Sequence, residues 1–222
     1  MSTTLATPIH TSTNEVDKQA TALARDRYDR QAPVYDRRQG LLEAFQRPWR
    51  QRLWRLATGP RVLEVGVGTG LNMPFWPGHL QIVATDFAPR MLERARHRAA
   101  KLGLAADLRL ADVQALEFAD SAFDTAVATC VFCSVPDPVL GLRELGRVVR
   151  PGGQILLLEH MRPESAIMGA MTDVISPLFV RLTGANMNRR TLDNIRAAGL
   201  EIESVDDLAM AGMFKFVVAR PG

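Results

Sequence analysis

Cysteine is scarce: Cys130 and Cys133 are the only two in 222 residues. One pair cannot build the disulfide framework of a small secreted scaffold, so a reducing cytoplasm is the expected setting. Long apolar runs are missing too. None approaches the roughly 18–20 residues that span a bilayer. Charge of one sign is barely in excess, with a formal net charge of +3 and a pI near 9.2. That is too little to argue for nucleic acid as a partner. No internal repeat is visible, and no His/Asp/Glu cluster suggests a metal. Met1 to Asn14, rich in Ser and Thr, lack the basic start and apolar stretch of a signal peptide. They read as a disordered tail.

Hydrophobic residues make up 47% and charged residues 23%, the composition of a globular protein with enough chain for one domain and a real core. Residues 15–222 are expected to form that domain, with a helical lid over 15–57 and a core over 60–222. The lid should break at Pro33 and Gly40, with Pro48 a third candidate. Its second half is amphipathic, because Leu41 or Leu42, Phe45, Trp49, Leu53 and Leu56 fall about four apart. Arg47, Arg50, Arg52 and Arg55 fill the remainder. Arg and Trp on such a helix suit an anionic membrane surface, which makes 41–56 a candidate peripheral contact on the inner membrane face. The alternative is that the stripe packs on a sheet and the arginines stay solvated.

Strands and helices then alternate. Arg61–Val65, Gln81–Thr85, Asp107–Leu110, Phe123–Cys130 and Gln154–Glu159 read as strands. Pro89–Leu102 and Val139–Val149 read as helices, the first opened by Pro89 and stopped by Gly103. Pro151-Gly152-Gly153 is a turn signal. A less regular helical stretch runs to Gly199, and Glu201–Asp206 and Phe214–Ala219 close the chain as an antiparallel edge hairpin. The alternation predicts a doubly wound, mostly parallel α/β sheet.

Chemistry concentrates at three strand ends. Val62-Leu63-Glu64-Val65-Gly66-Val67-Gly68-Thr69-Gly70 is an apolar strand entering a glycine-rich turn that should open a helix. Gly66 and Gly68 let the backbone turn tightly and approach a ligand. Glu64 stands where a dehydrogenase keeps an apolar residue, and Gly70 follows Gly68 by two residues where the dinucleotide fingerprint needs three. The pattern points to a ligand with an ammonium group and not a pyrophosphate. Asp86 ends the second strand, where a carboxylate can accept from two ribose hydroxyls. Asp112 follows the third strand, where it can accept from an adenine amino group while Val113 contacts the ring.

In this order, E-x-G-x-G-x-G, Asp86, Ala111-Asp112 and Arg150-Pro151-Gly152-Gly153 resemble the class I S-adenosylmethionine-dependent methyltransferases, from about Tyr28 to the end. The resemblance implies a Rossmann-like sheet of seven strands with one antiparallel edge strand. It implies S-adenosylmethionine held by Gly66, Gly68, Asp86 and Asp112. Tyr35, Glu64, Gly70, Asn72, Phe87, Met91, Val113 and Cys130 complete the candidate cofactor set.

Three acceptor types compete. Tyr28-Asp29-Arg30-Gln31-Ala32-Pro33-Val34-Tyr35-Asp36 resembles the opening helix of bacterial phosphatidylethanolamine N-methyltransferases and of quinone C-methyltransferases. Val65 to Pro74 looks most like the phospholipid enzymes. Cys130 to Val135, Leu158-Glu159-His160 and Gly184 to Arg189 resemble animal alkyl thiol methyltransferases. Nucleic-acid acceptors are disfavoured: DNA amino-methyltransferases carry Asn/Asp-Pro-Pro-aromatic where this chain has Cys130-Val131-Phe132-Cys133, and cytosine enzymes need a Pro before the Cys, where Thr129 stands. Tyr28, Tyr35 and His160 are the candidate catalytic residues, with Tyr28, Asn186, Arg189 and Arg190 for the acceptor and its phosphate. Pro177, Leu178, Phe179 and Met187 are expected to wall the pocket, which should open between the Tyr28–Asp36 helix and the chain after His160. A noncatalytic cofactor-binding module is the rival from another class.

Overall fold

The structure is a computed structural model that describes residues 15–210 and 212–222. The expected tail, Met1–Asn14, lies outside the described residues. Helix α1 spans Lys18–Gln31, and Asp17 caps it by accepting from the backbone N–H groups of Gln19 and Ala20. A 3-10 turn over Ala32–Val34 contains Pro33, so the first expected break is present. The other two are not. Helix α2 runs unbroken over Tyr35–Leu56, through both Gly40 and Pro48. Pro48 costs one helical hydrogen bond, but the face beyond it is held: Arg50, Leu53, Trp54 and Ala57 are buried.

That buried face is rotated from the expected stripe. Gln46, Arg50, Leu53, Trp54 and Ala57 point inward, whereas Leu42, Phe45 and Leu56 are exposed. Leu53 and Trp54 pack against Val62, Val127, Leu156, Leu158 and Phe216. The sheet therefore takes the helix through Leu53 and Trp54, while Gln46 and Arg50 are buried beside Cys130 and Asn72.

The core is a sheet of β1 (Arg61–Val65), β2 (Gln81–Asp86), β3 (Asp107–Leu110), β4 (Phe123–Thr129), β5 (Val149–His160), β6 (Leu200–Ala209) and β7 (Phe214–Pro221), in the order β3-β2-β1-β4-β5-β7-β6. β1 to β5 are parallel, and β7 runs antiparallel to both β5 and β6. The closing strands thus form the expected edge hairpin. α3 (Pro89–Leu102) packs Leu92, Ala95 and Ala99 near Ala84 of β2, on the face that also carries α2. α4 (Pro138–Val148) and α6 (Thr191–Ala197) cover the other through Leu142, Leu145 and Ile195. Covered on both faces, the central strands are buried along most of their length, Val62–Val65 in β1 and Thr125–Ala128 in β4.

One expectation fails at the first crossover. The glycine turn after β1 opens no α-helix; a 3-10 turn at Met73–Phe75 is all the helix between β1 and β2. α5 spans Ala166–Thr183. Among the described residues no helix is long and apolar enough to cross a membrane, and no group of three or more His, Cys, Asp and Glu could hold a metal ion.

Candidate active site

The strand order reverses between β1 and β4, and a crevice opens at the carboxyl ends of adjacent strands at such a point. Here it is a small cavity of about 80 Å³, narrowed by the lid. Its floor is Gly66, Gly68, Thr85, Asp86, Phe87 and Met91; Ala111, Asp112 and Val113 form one side. The other side is Thr129–Val131 and Ser134–Pro136, from the chain after β4, and Tyr28 and Tyr35 of the lid close it.

Gly66 and Gly68 both have positive φ, +63° and +56°. A Cβ on Gly66 would come 2.5 Å from Val131 Cγ2, whereas one on Gly68 would meet nothing within 4 Å. Gly66 is required by packing; Gly68 leaves the backbone bare toward open space. The Gly68 N–H donates to Asp86 Oδ2 and the Ala88 N–H to Oδ1, both at 2.8 Å. Burial still pushes the Asp86 carboxyl up to about 6. Asp112 accepts from the side-chain amide and backbone N–H of Gln114, 3.0–3.1 Å away.

The lid is pinned from both sides. Asp29 accepts from the Arg90 N–H at 2.8 Å and so caps α3, whose own cap residue, Ala88, has no side chain to do it. Asp36 accepts from Thr69 Oγ1 and from Arg98 at 2.7 Å. Tyr28 shares a hydrogen bond with Ser134. Burial drives both tyrosine phenols upward, so they stay protonated at neutral pH and act as hydrogen-bonding groups, not bases.

Several expected site residues lie elsewhere. Glu64 does not line the cavity. Its oxygens accept from Asn72 Nδ2 at 2.7 Å and Trp76 Nε1 at 2.8 Å, and Arg50 donates to Asn72 Oδ1 at 2.8 Å. This chain of contacts ties α2, the glycine turn and β1 together, and burial raises the Glu64 carboxyl to about 7. Asn72 is spent in the same network. Gly70, outside the cavity wall, makes room for Met73, whose Sδ would lie 2.7 Å from an added Cβ.

His160 is the last residue of β5, buried against the Phe214 ring, and absent from the cavity wall. Burial pulls its imidazole down to about 4, so it is neutral. Asn186 is held by Ser176 Oγ, and its N–H donates to the Cys133 carbonyl. Arg189 sits behind the wall and donates to the Val135 carbonyl at 2.9 Å. With Arg190 it borders a separate groove beside α6. Pro177 and Leu178 are exposed. The wall opposite the lid is therefore the chain after β4, not the chain after His160.

Two residues shape the site from outside the sequence reading. Arg50 is one. The other is Glu159, whose Oε1 accepts from the N–H groups of Val131 at 2.7 Å and Phe132 at 3.1 Å. It fixes the turn that carries the wall, and burial lifts its carboxyl to about 7. A carboxylate directly after the apolar run Ile155–Leu158 of a central strand needs such donors; that is the available signal. Cys130 lines the cavity at φ +53°, and burial pushes its thiol up to about 12, so it is not a thiolate.

Residues 63–157 match the model of the methyltransferase domain family. A phosphatidylethanolamine N-methyltransferase of Cereibacter sphaeroides is 37% identical over 54% of this chain; the match covers 60% of that protein. The ubiquinone/menaquinone biosynthesis C-methyltransferase UbiE of Bdellovibrio bacteriovorus is 30% identical over 69% of this chain and 68% of its own. A methyltransferase structure from Thermotoga maritima covers 89% of this chain and 99% of its own at a TM-score of 0.66 and 23% identity, which speaks for the fold. With a strand-order reversal and a glycine-floored cavity at the same place, the chain belongs to the class I S-adenosylmethionine-dependent methyltransferases.

Proposed function

We propose that this enzyme methylates the amine of a phosphatidylethanolamine-type phospholipid. The observation that carries the reading is the site: a glycine floor and two acids beside a largely apolar wall, closed by two tyrosines. The 37% identity to a phosphatidylethanolamine N-methyltransferase supports this acceptor.

The cavity residues fit S-adenosylmethionine. The bare Gly68 backbone leaves room for its amino-acid end. Asp86 keeps lone pairs for the ribose hydroxyls, and Asp112 and Val113 suit the adenine edge and face. Bound there, S-adenosylmethionine supplies a methyl group already activated on a sulfonium. The protein's part is then mainly to orient the acceptor, an effect worth roughly 7–11 kcal/mol of barrier when alignment is good. Tyr28 and Tyr35 close the site and offer hydroxyls. Among the described residues no imidazole lines it, so in this reading the amine arrives neutral or loses its proton to water.

A second reading, C-methylation of a quinone precursor, is favoured by the 30% identity to UbiE over 69% of the chain. S-methylation of a small alkyl thiol is a third. The full chain should be given methyl-labelled S-adenosylmethionine with phosphatidylethanolamine, a demethylated quinone and an alkyl thiol side by side. Label in the phospholipid is the expected result. Label only in the quinone or the thiol would replace the acceptor and leave the cofactor site intact. Cofactor binding with no label anywhere would mean a noncatalytic module.

A further inference from the structure

α5 is built inside out. An ordinary surface helix turns its apolar stripe to the core, but the inward residues of α5 are Gly169, Thr172 and Ser176. They are held by polar contacts: Thr172 donates to the Gly169 carbonyl, Ser176 to Asn186, and the adjacent Asp173 pairs with Arg162 and accepts from Asn188. The outward residues are apolar. Ile167 is 76% exposed, Val174 80% and Leu178 60%, with Met171 and Ile175 between them.

The exposed residues from Ile167 to Leu178 carry no hydrogen-bonding side chain, and half-buried Asp173 is taken up by Arg162 and Asn188. A protein partner's interface carries about one hydrogen bond per 100–200 Å²; an acyl layer needs none. The carboxylates beside the helix are paired, Asp173 with Arg162 and Glu164 with Lys215, and the charge at its C-terminal end is positive. Exposed Arg181 lies in its last turn. Gln31 of α1 donates to the Thr183 carbonyl, which brings neighbouring Arg30 to the same end, and Arg27 packs on Gly184. Among the described residues no carboxylate forms an ion pair with Arg27, Arg30 or Arg181.

We propose that α5 lies flat on an anionic bilayer, its aliphatic face among the acyl chains and these arginines on lipid phosphates. An apolar helix face flanked by unpaired cations suits such a surface. Gly184 also abuts Tyr28, which lines the cavity, so the docked helix ends at the lid. Its use in delivering the acceptor rests on the phospholipid reading; the docking itself does not.

The full chain should be sedimented with phosphatidylcholine vesicles with and without phosphatidylglycerol. Binding is expected with the anionic vesicles and should weaken as salt rises. Val174→Glu with Leu178→Glu should lower it at least tenfold, with melting and cofactor affinity unchanged. Arg30→Ala with Arg181→Ala should lower it roughly tenfold, on the anionic vesicles only. Absence of binding, or binding that survives the double Glu variant, would overturn the proposal. So would a dimer, seen by sedimentation velocity, that the Glu variant dissociates, because a second copy would then cover the face. Methylation of phosphatidylethanolamine in detergent micelles separates the two readings: it persists if only the docking is wrong, and fails if only the acceptor is wrong.

Discussion

Gly66 and Gly68 stand two residues apart at similar positive φ, and substitution should separate their roles. Gly68→Val faces open space, so the protein pays only the left-handed backbone penalty of roughly 1–2 kcal/mol and should still fold. Calorimetry should show cofactor affinity lost, while Gly66→Val should depress the melting temperature through its clash with Val131. Glu159→Ala leaves the Val131 and Phe132 N–H groups without their acceptor. Each orphaned buried donor costs about 1–3 kcal/mol, partly offset by removal of a buried carboxyl, so denaturant unfolding should report a net loss of about 2–4 kcal/mol. At this scale the sequence was a partial guide. Gly66, Gly68, Asp86, Phe87, Met91, Asp112, Val113, Cys130, Tyr28 and Tyr35 all line the cavity. Glu64 and His160 do not, because a position near a strand end says nothing about which way its side chain turns. Glu64 shares a sheet face with Val62, toward α2, and finds its donors there.

Among the elements, α2 departs most from expectation. Gly40 is interior to it, and an added Cβ there would meet nothing within 4 Å. Gly40→Ala should therefore stabilise the protein by about 0.5–1 kcal/mol, read as a higher midpoint in a denaturant melt; destabilisation would mean that the helix does break there. Gly40 and Pro48 looked like breaks because local propensity counts against them, but tertiary packing of Leu53 and Trp54 outweighs it. The same packing chose Gln46 and Arg50 for the buried face, where Arg50 reaches Asn72 and Gln46. Spacing of apolar residues alone could not show a buried arginine. The strands were more legible: the parallel central ones are mostly apolar, and Pro89 and Gly103 bound the helix between β2 and β3. Pro151-Gly152-Gly153 reads as a turn but lies inside β5, where the pairing with β4 shifts register. The missing helix after β1 was not legible, since a glycine turn precedes helix and irregular chain alike.

For the whole molecule, strand order and the position of the cavity follow from one topological fact, the reversal between β1 and β4. Everything proposed for the cofactor depends on Asp86 at that crevice. Its carboxyl is raised to about 6, so it ionises as pH climbs through that value, and ribose hydroxyls donate best to the ionised form. Without ligand the sign is opposite: the folded state holds this proton more tightly than the unfolded chain, so this group's contribution to stability falls as pH rises through the same window. The most direct measurement is a calorimetric titration of S-adenosylmethionine into the native chain and Asp86→Asn, from about pH 5 to about pH 8. Native affinity should rise through about pH 6 and level off. Because a hydrogen bond to a charged group is worth about 1.5–3 kcal/mol and a decade of affinity about 1.4, the folded variant should bind at least tenfold more weakly at the upper end and show no such rise. Equal affinity and an identical pH profile in a folded Asp86→Asn protein would contradict the account.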